Sequence, residues 1–281
     1  MNTSSFGLAL LFLASPAWSA STPSVPHSER GASLAGEVYS SLASSFFNLL
    51  SSDIAGFDAV FTVEKDDKVL GKMKVSWNRG EEEVSATLEG EAQARDRSTA
   101  EGLVADHILS LLVWGPFKSA LGPGAGAYAA KSGNQYVIDI TEKSSKKHPE
   151  IESHFLFVSE DSSRLRNRIA RRDGTLLDMT YLAEDAGGKQ LVSTTSTTNR
   201  SRGKASWTVD VVFTYTHTEG TVFVKRAVTK RTAGTRTTTW SAVLESVSFR
   251  KGVATPGSEK GAGSPEDSAA EGLRDRFWGE M

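Results

Sequence analysis

The chain has no cysteine at all. That single absence removes disulfides, thiolate-bound zinc, thiol nucleophiles and a lipid-modified cysteine anchor. The fold must therefore rest on its own core and backbone ladder. A strong charge of one sign is missing too. The formal net charge is −2 over 281 residues, which argues against a nucleic-acid binder or a polybasic membrane-surface protein. Beyond the N-terminal region no apolar run is long enough to span a bilayer as a helix. Histidine is scarce: His27, His107, His148, His154 and His217 form no metal-spaced pair on one element, so no metal and no cofactor is expected. There is no G-x-S-x-G nucleophile elbow. The acidic clusters Asp66-Asp67, Glu81-Glu82-Glu83, Glu160-Asp161 and Glu184-Asp185 fall at turns, where solvated carboxylates are the default. No residue volunteers for catalysis, and a protein that is not an enzyme is expected.

What is present fits a globular protein of one large β domain or two small ones. Hydrophobic residues make up 38% and charged residues 23%, enough for a sizeable core. The charges are unevenly spread. Asp53 to Glu101 holds 12 acidic and 7 basic residues, whereas Asp161 to Gly252 holds 16 basic and 8 acidic. Wet strand faces account for this; a dipole steered toward an acidic partner or lipid headgroups is the sharper reading.

The first nineteen residues read as a secretory signal. Phe6 to Ala14 is an apolar stretch of signal-peptide length, and Ala17-Trp18-Ser19 places small residues for a cut before Ala20. The segment Met1 to Ser5 carries no Lys or Arg, which departs from that pattern. A periplasmic or secreted location follows as the expectation, with a flexible leader over 20–33.

Helical spacing then links Leu34, Val38, Leu42, Phe46 and Leu49. Period-two alternation follows over Phe57 to Val63, Val69 to Trp77 and Val84 to Leu88. A second helix is expected from the capping-box spacing Ser98-Thr99-Ala100-Glu101, with the apolar stripe Leu103, Val104, His107, Ile108, Leu111 and Leu112. Gly115-Pro116 stops it. Gly122 to Ala127 reads as a mobile linker, since no Lys-Ser/Thr pair or helix follows to make it a phosphate loop. Eight further strands are expected: Tyr136–Ile140, Ser153–Val158, Arg164–Arg171, Thr175–Leu182, Gln190–Thr198, Ser206–His217, Thr221–Lys230 and Thr235–Phe249. Turns at Asp173-Gly174, Ala186-Gly187-Gly188 and Glu219-Gly220 join them. From 252 to 281 the composition is that of a disordered tail. The fold class is α+β, one antiparallel sheet of 10–11 strands large enough that it must curl, with two helical covers.

Two features bear on function. Arg164, Arg166 and Arg168 share one strand face, either a wet outer surface or a docking stripe; no aromatics interleave them, so single-stranded nucleic acid is not expected. Bulky apolar side chains also collect on one side of several strands. Either they are core, or they line a lidded cavity in which Leu103, Val104, Ile108, Leu111, Leu112 and Trp114 face Phe61, Trp77, Phe157 and Trp240.

The signal segment, the helix running into the first strand, and the meander interrupted by a helix resemble the periplasmic lipoprotein-carrier superfamily (LolA/LolB-like). So do the strand pair Arg164-Leu165-Arg166-Asn167-Arg168 and its Asp173-Gly174 turn, and Val211-Val212-Phe213-Thr214-Tyr215 with Val222-Phe223-Val224. The likeness spans 34–251. It implies an unclosed β-barrel whose helical lid shelters acyl chains or another apolar ligand, in a carrier or sensor without a membrane anchor. The alternative is an exported structural or protein-binding β domain with a filled core.

Overall fold

The computed structural model describes residues 23–116, 126–141, 151–201 and 206–252. The signal segment, and the tail beyond Gly252, lie outside the described residues. Twelve strands form one antiparallel sheet: β1 (Ile54–Lys65), β2 (Lys68–Asn78), β3 (Ser85–Glu89), β4 (Gly126–Ser132), β5 (Gln135–Thr141), β6 (Ile151–Ser159), β7 (Arg164–Arg171), β8 (Leu176–Asp185), β9 (Gln190–Arg200), β10 (Trp207–Thr218), β11 (Thr221–Ala233) and β12 (Arg236–Lys251). Their spatial order is β3-β2-β1-β12-β11-β10-β9-β8-β7-β6-β5-β4, so the sheet is a meander that never closes on itself.

Local chemistry explains most of this ladder. Asp66 and Asp67 both adopt positive φ, 48° and 64°, the backbone of a two-residue hairpin that matches strand twist. Glu219 and Gly220 do the same between β10 and β11, at 51° and 81°. The twelfth strand, β4, is the one the sequence hides. Gly126 and Ala127, which read as linker, pair with Thr141 and Ile140. An alanine- and glycine-rich strand has little apolar alternation to announce it, and its partner across the turn holds it in register.

Two helical segments cover the inner face. The first, α1 (Glu29–Ser45), starts five residues before the apolar spacing does, because the Ser28 side chain caps it by accepting from the Gly31 N–H. Ala35, Val38, Leu42 and Phe46 are buried from it and its end. Ahead of α1 the chain lies on the opposite face, where Val25 packs with Val137, Phe155 and Phe157. It passes round the edge strand β4 at Gly31, where a Cβ would stand 2.9 Å from the Pro26 carbonyl oxygen and 3.4 Å from that of Ala129. This wrap shields an open edge that would otherwise invite pairing with another chain.

The second cover spans 94–114 in three continuous pieces: α2 (Ala94–Gly102), a π-helical segment (Leu103–Leu109) and α3 (Ser110–Trp114). The expected capping box is not used. The helix begins at Ala94, four residues before Ser98, with Gln93 as an N-cap that makes no side-chain bond, and the Glu101 carboxylate instead accepts from the Leu88 N–H of β3 at 2.9 Å. Gly115, at φ 74°, ends it as expected.

Candidate functional site

The inner face beneath the 94–114 helix is the candidate site. Phe57, Ala59, Phe61 and Val63 alternate inward from β1, and β2 brings Met73, Val75 and Trp77 opposite them. β12 adds Trp240 and Ala242, and β11 adds Phe223 and Ala227. The rings are locked together. Phe223 meets Phe57 edge-on at 5.1 Å and Phe249 at 5.6 Å, and Trp77 meets Trp114 of the helix at 6.4 Å.

The expected lid residues are brought to this face. Leu103, Val104, Ile108 and Leu112 are buried in the same core cluster as Phe61, Trp77 and Trp240, with Leu111 and Trp114 partly buried against it. The stripe nonetheless differs from its α-helical reading. Leu109 and Val113 are fully buried while Leu111 is only partly buried. The π segment causes the change: the Ser110 N–H donates to the Ala105 carbonyl, five residues back, and the added residue rotates everything after it.

Phe157 does not join them. It opposes Val137 and Arg166 on the outer face, and its neighbours Leu156 and Val158 point to the inner core instead. The run Phe155-Leu156-Phe157-Val158 is apolar on both faces, so period two alone does not say which pair faces the helices.

The site is closed. Between helix and sheet lies a cavity of only about 10 Å³, lined by Val63, Leu103, Val104, Ile108, Ala227 and Trp240 among others, room for about one water molecule. Between the two covers the seal is less complete. On β8, Leu177, Met179 and Tyr181 face inward opposite Ile169, Asn167 and Leu165. All three are half-buried, and Leu177 and Met179 stand outside the core cluster.

Polar groups are built into this apolar face. His154 and Asn167 are both buried and joined by a 2.7 Å hydrogen bond between Nε2 and Oδ1. The Tyr39 hydroxyl of α1 is buried without a hydrogen-bond partner, and burial pushes its phenol above the usual range. Among the described residues Tyr181 has the Met179 sulfur at 3.8 Å as its hydroxyl's partner, and burial pushes its phenol up to about 12. The sequence signal for the His154 pair was the polar Asn167 between Leu165 and Ile169, which period two places inward.

The arginine ladder lies on the outer face. Arg166 donates from Nε to Asp178 Oδ1 at 2.7 Å and from Nη2 to Asp178 Oδ2, and its guanidinium stacks 5.7 Å above the Phe157 ring. Its guanidinium is therefore engaged within the sheet; the Asp178 hydrogen bond holds its pKa above the ordinary arginine value. Both partners are mostly buried, at 18% and 20% side-chain exposure. Removing one leaves the other a poorly solvated charge, so Arg166→Ala is expected to lower stability by about 2 kcal/mol in urea unfolding. A double change with Asp178→Ala that costs the sum of the two single changes would show no coupling. Arg164 and Arg168 are half-buried on the same face.

Among the described residues no helix is long and apolar enough to cross a membrane, and no group of three or more His, Asp or Glu is placed to hold a metal ion. No family model matches the chain. No curated protein matches it either. Among solved structures the chain is similar to one from Vibrio parahaemolyticus named as an outer membrane lipoprotein-sorting protein domain. The match has 5% identity and a TM-score of 0.34, over 79% of this chain and 94% of the other. A likeness this slight carries neither a residue correspondence nor a function.

Proposed function

We propose that this chain is an exported, periplasmic carrier or sensor of a lipid, lipoprotein acyl chain or other apolar ligand, and that the closed arrangement is its empty form. The observation that carries this reading is the 94–114 cover. It lacks a side-chain cap at its N-terminus, contains Gly102, and is interrupted by a seven-residue π segment. Such segments are rare and concentrate at functional sites. As a helix it is weak, and what seats it is the burial of Leu103, Val104, Ile108, Leu109 and Leu112.

The magnitudes make exchange feasible. Burying five such side chains is worth roughly 10 kcal/mol at about 2 each. An acyl chain of about a dozen methylenes gains a similar amount, at about 0.8 each. A ligand that displaces the lid therefore faces a near-even trade, which permits both loading and release. The half-buried strip Leu177-Met179-Tyr181 offers the entry.

The test is native mass spectrometry after mild purification, together with titration of a fluorescent long-chain fatty acid and hydrogen exchange at 94–114. Co-purified lipid, saturable binding, and faster exchange of the lid amides on loading are the expected results. No bound lipid and no probe response would overturn the reading.

The 10 Å³ cavity favours a second reading. In it the interior is permanently full and the chain is an exported structural or protein-binding β domain. That reading predicts a single cooperative unfolding transition that lipid does not shift.

A further inference from the structure

Among the described residues, Arg231 on the inner face makes no hydrogen bond or ion pair. Arg231 follows Thr229 by two residues on β11, so both side chains project to the face that carries the lid. Its cross-strand neighbours are Val209 and Thr238, neither of them acidic. Its guanidinium Nε is buried and makes no hydrogen bond, and among the described residues the side chain has no ion pair. The side chain as a whole is only partly buried, but a buried N–H donor without an acceptor costs free energy that an apolar group in the same place would not.

The first turn of the lid brings more positive charge to the same place. Thr229 opposes Trp240, and Trp240 opposes Lys65. Lys65 binds Asp96 of α2 at 2.7 Å and lies 5.2 Å from the Trp240 ring centroid. Asp96 is thus engaged by Lys65. Its neighbour Arg95 is exposed, and its field adds to burial in lowering the Arg231 pKa. The α2 N-terminus, uncapped by a side chain, contributes positive potential of its own. Two like charges and a helix start converge beside the apolar seat of Leu103, Val104 and Trp240.

We infer that the ligand is an anionic amphiphile, with its carboxylate or phosphate head group held by Arg231 and Arg95 and its chain beneath the displaced lid. This rests on the carrier reading and adds the head-group chemistry to it. A bound anion would satisfy the Arg231 Nε–H and separate the two guanidinium charges, interactions that a neutral lipid does not supply.

The experiment compares a long-chain fatty acid, a lysophosphatidic acid and the fatty alcohol of equal length, each titrated into the wild type, Arg231→Met and, as control, Arg236→Met. Both anions are expected to bind wild type at least about tenfold more tightly than the alcohol, with a preference that falls as salt is raised. The stronger of the two anions identifies whether carboxylate or phosphate is the better head group. Arg231→Met should abolish that preference and leave alcohol binding unchanged, while Arg236→Met alters neither. In the absence of ligand, Arg231→Met should melt at or above the wild-type temperature, since it removes a buried donor that has no acceptor.

Equal binding of acid and alcohol would overturn the inference and leave the carrier reading intact. Failure of all three ligands to bind would overturn both. A markedly lower melting temperature for Arg231→Met would make Arg231 a structural residue and also defeat the inference.

Discussion

Phe223→Ala is expected to cost about 3–5 kcal/mol of stability, the largest effect of any single truncation considered. The Phe223 side chain has no solvent exposure and touches three other rings: Phe57 at 5.1 Å, Phe249 at 5.6 Å and Phe61 at 6.3 Å. It joins β11 to β1 and β12, at a point where the register of β11 with β12 has already ended at Arg226. Side-chain packing, not the ladder, holds the strands together there. Alanine would lose the transfer free energy of the ring and leave a cavity that a four-ring cluster cannot collapse to fill. Val69, which is 66% exposed, supplies the comparison. Val69→Ala should change the urea midpoint by no more than about 0.5 kcal/mol equivalent. A Phe223→Ala loss of the same small size would mean the aromatic cluster is not the centre of the core.

Acid should loosen the lid through His107. This residue lies in the π segment, and burial pushes its imidazole down to about 4 from an ordinary value of 6.5. The unfolded chain therefore binds a proton on His107 between pH 6.5 and about 4, while the folded chain does not. Stability is fully present above pH 6.5, falls as pH drops through that window, and levels off below it. Because the residue keeps some contact with solvent, the loss is limited to about 2–3 kcal/mol. Carboxylates held below their ordinary range, including Glu245 by Lys72 and Asp161 by Ser159, add losses of the same sign at lower pH. The measurement is thus a difference: urea midpoints of wild type and His107→Gln at pH 7.5 and 4.5. The variant should lose distinctly less stability between the two, with hydrogen exchange placing that difference in 94–114. Parallel pH profiles would remove His107 from the account.

The parts of the fold legible in the sequence are those set by neighbours along the chain. Asp66-Asp67 marked a turn and Glu219-Gly220 a tight hairpin, and both formed there with positive φ at each central residue. Alternation in Phe57 to Val63 and in Met73 to Trp77 gave strand and inward face together, since one side was apolar and the other charged or small. Where that contrast failed, so did the reading. Phe155 to Val158 is apolar on both faces, and on the outer one Phe157 packs with Val25, Val137 and the Arg166 guanidinium. Gly126 to Ser132 has too little apolar bulk to declare itself a strand. The Ser98-to-Glu101 spacing was that of a capping box, yet the Glu101 carboxylate accepts from the Leu88 N–H of β3, on a neighbouring strand, and caps no helix.

By itself the sequence determined a cysteine-free antiparallel meander with two helical covers, because hairpin turns and period-two faces are properties of a few adjacent residues. Which apolar residues of the lid reach the sheet was decided only in three dimensions. One π segment rotates Leu109 and Val113 fully inward and leaves Leu111 only partly buried. The placement of Arg231 without an acceptor beside Arg95 is likewise invisible along the chain, since 136 positions separate them. Long-range register alone brings such groups together, and burial then gives them energies that no local pattern records.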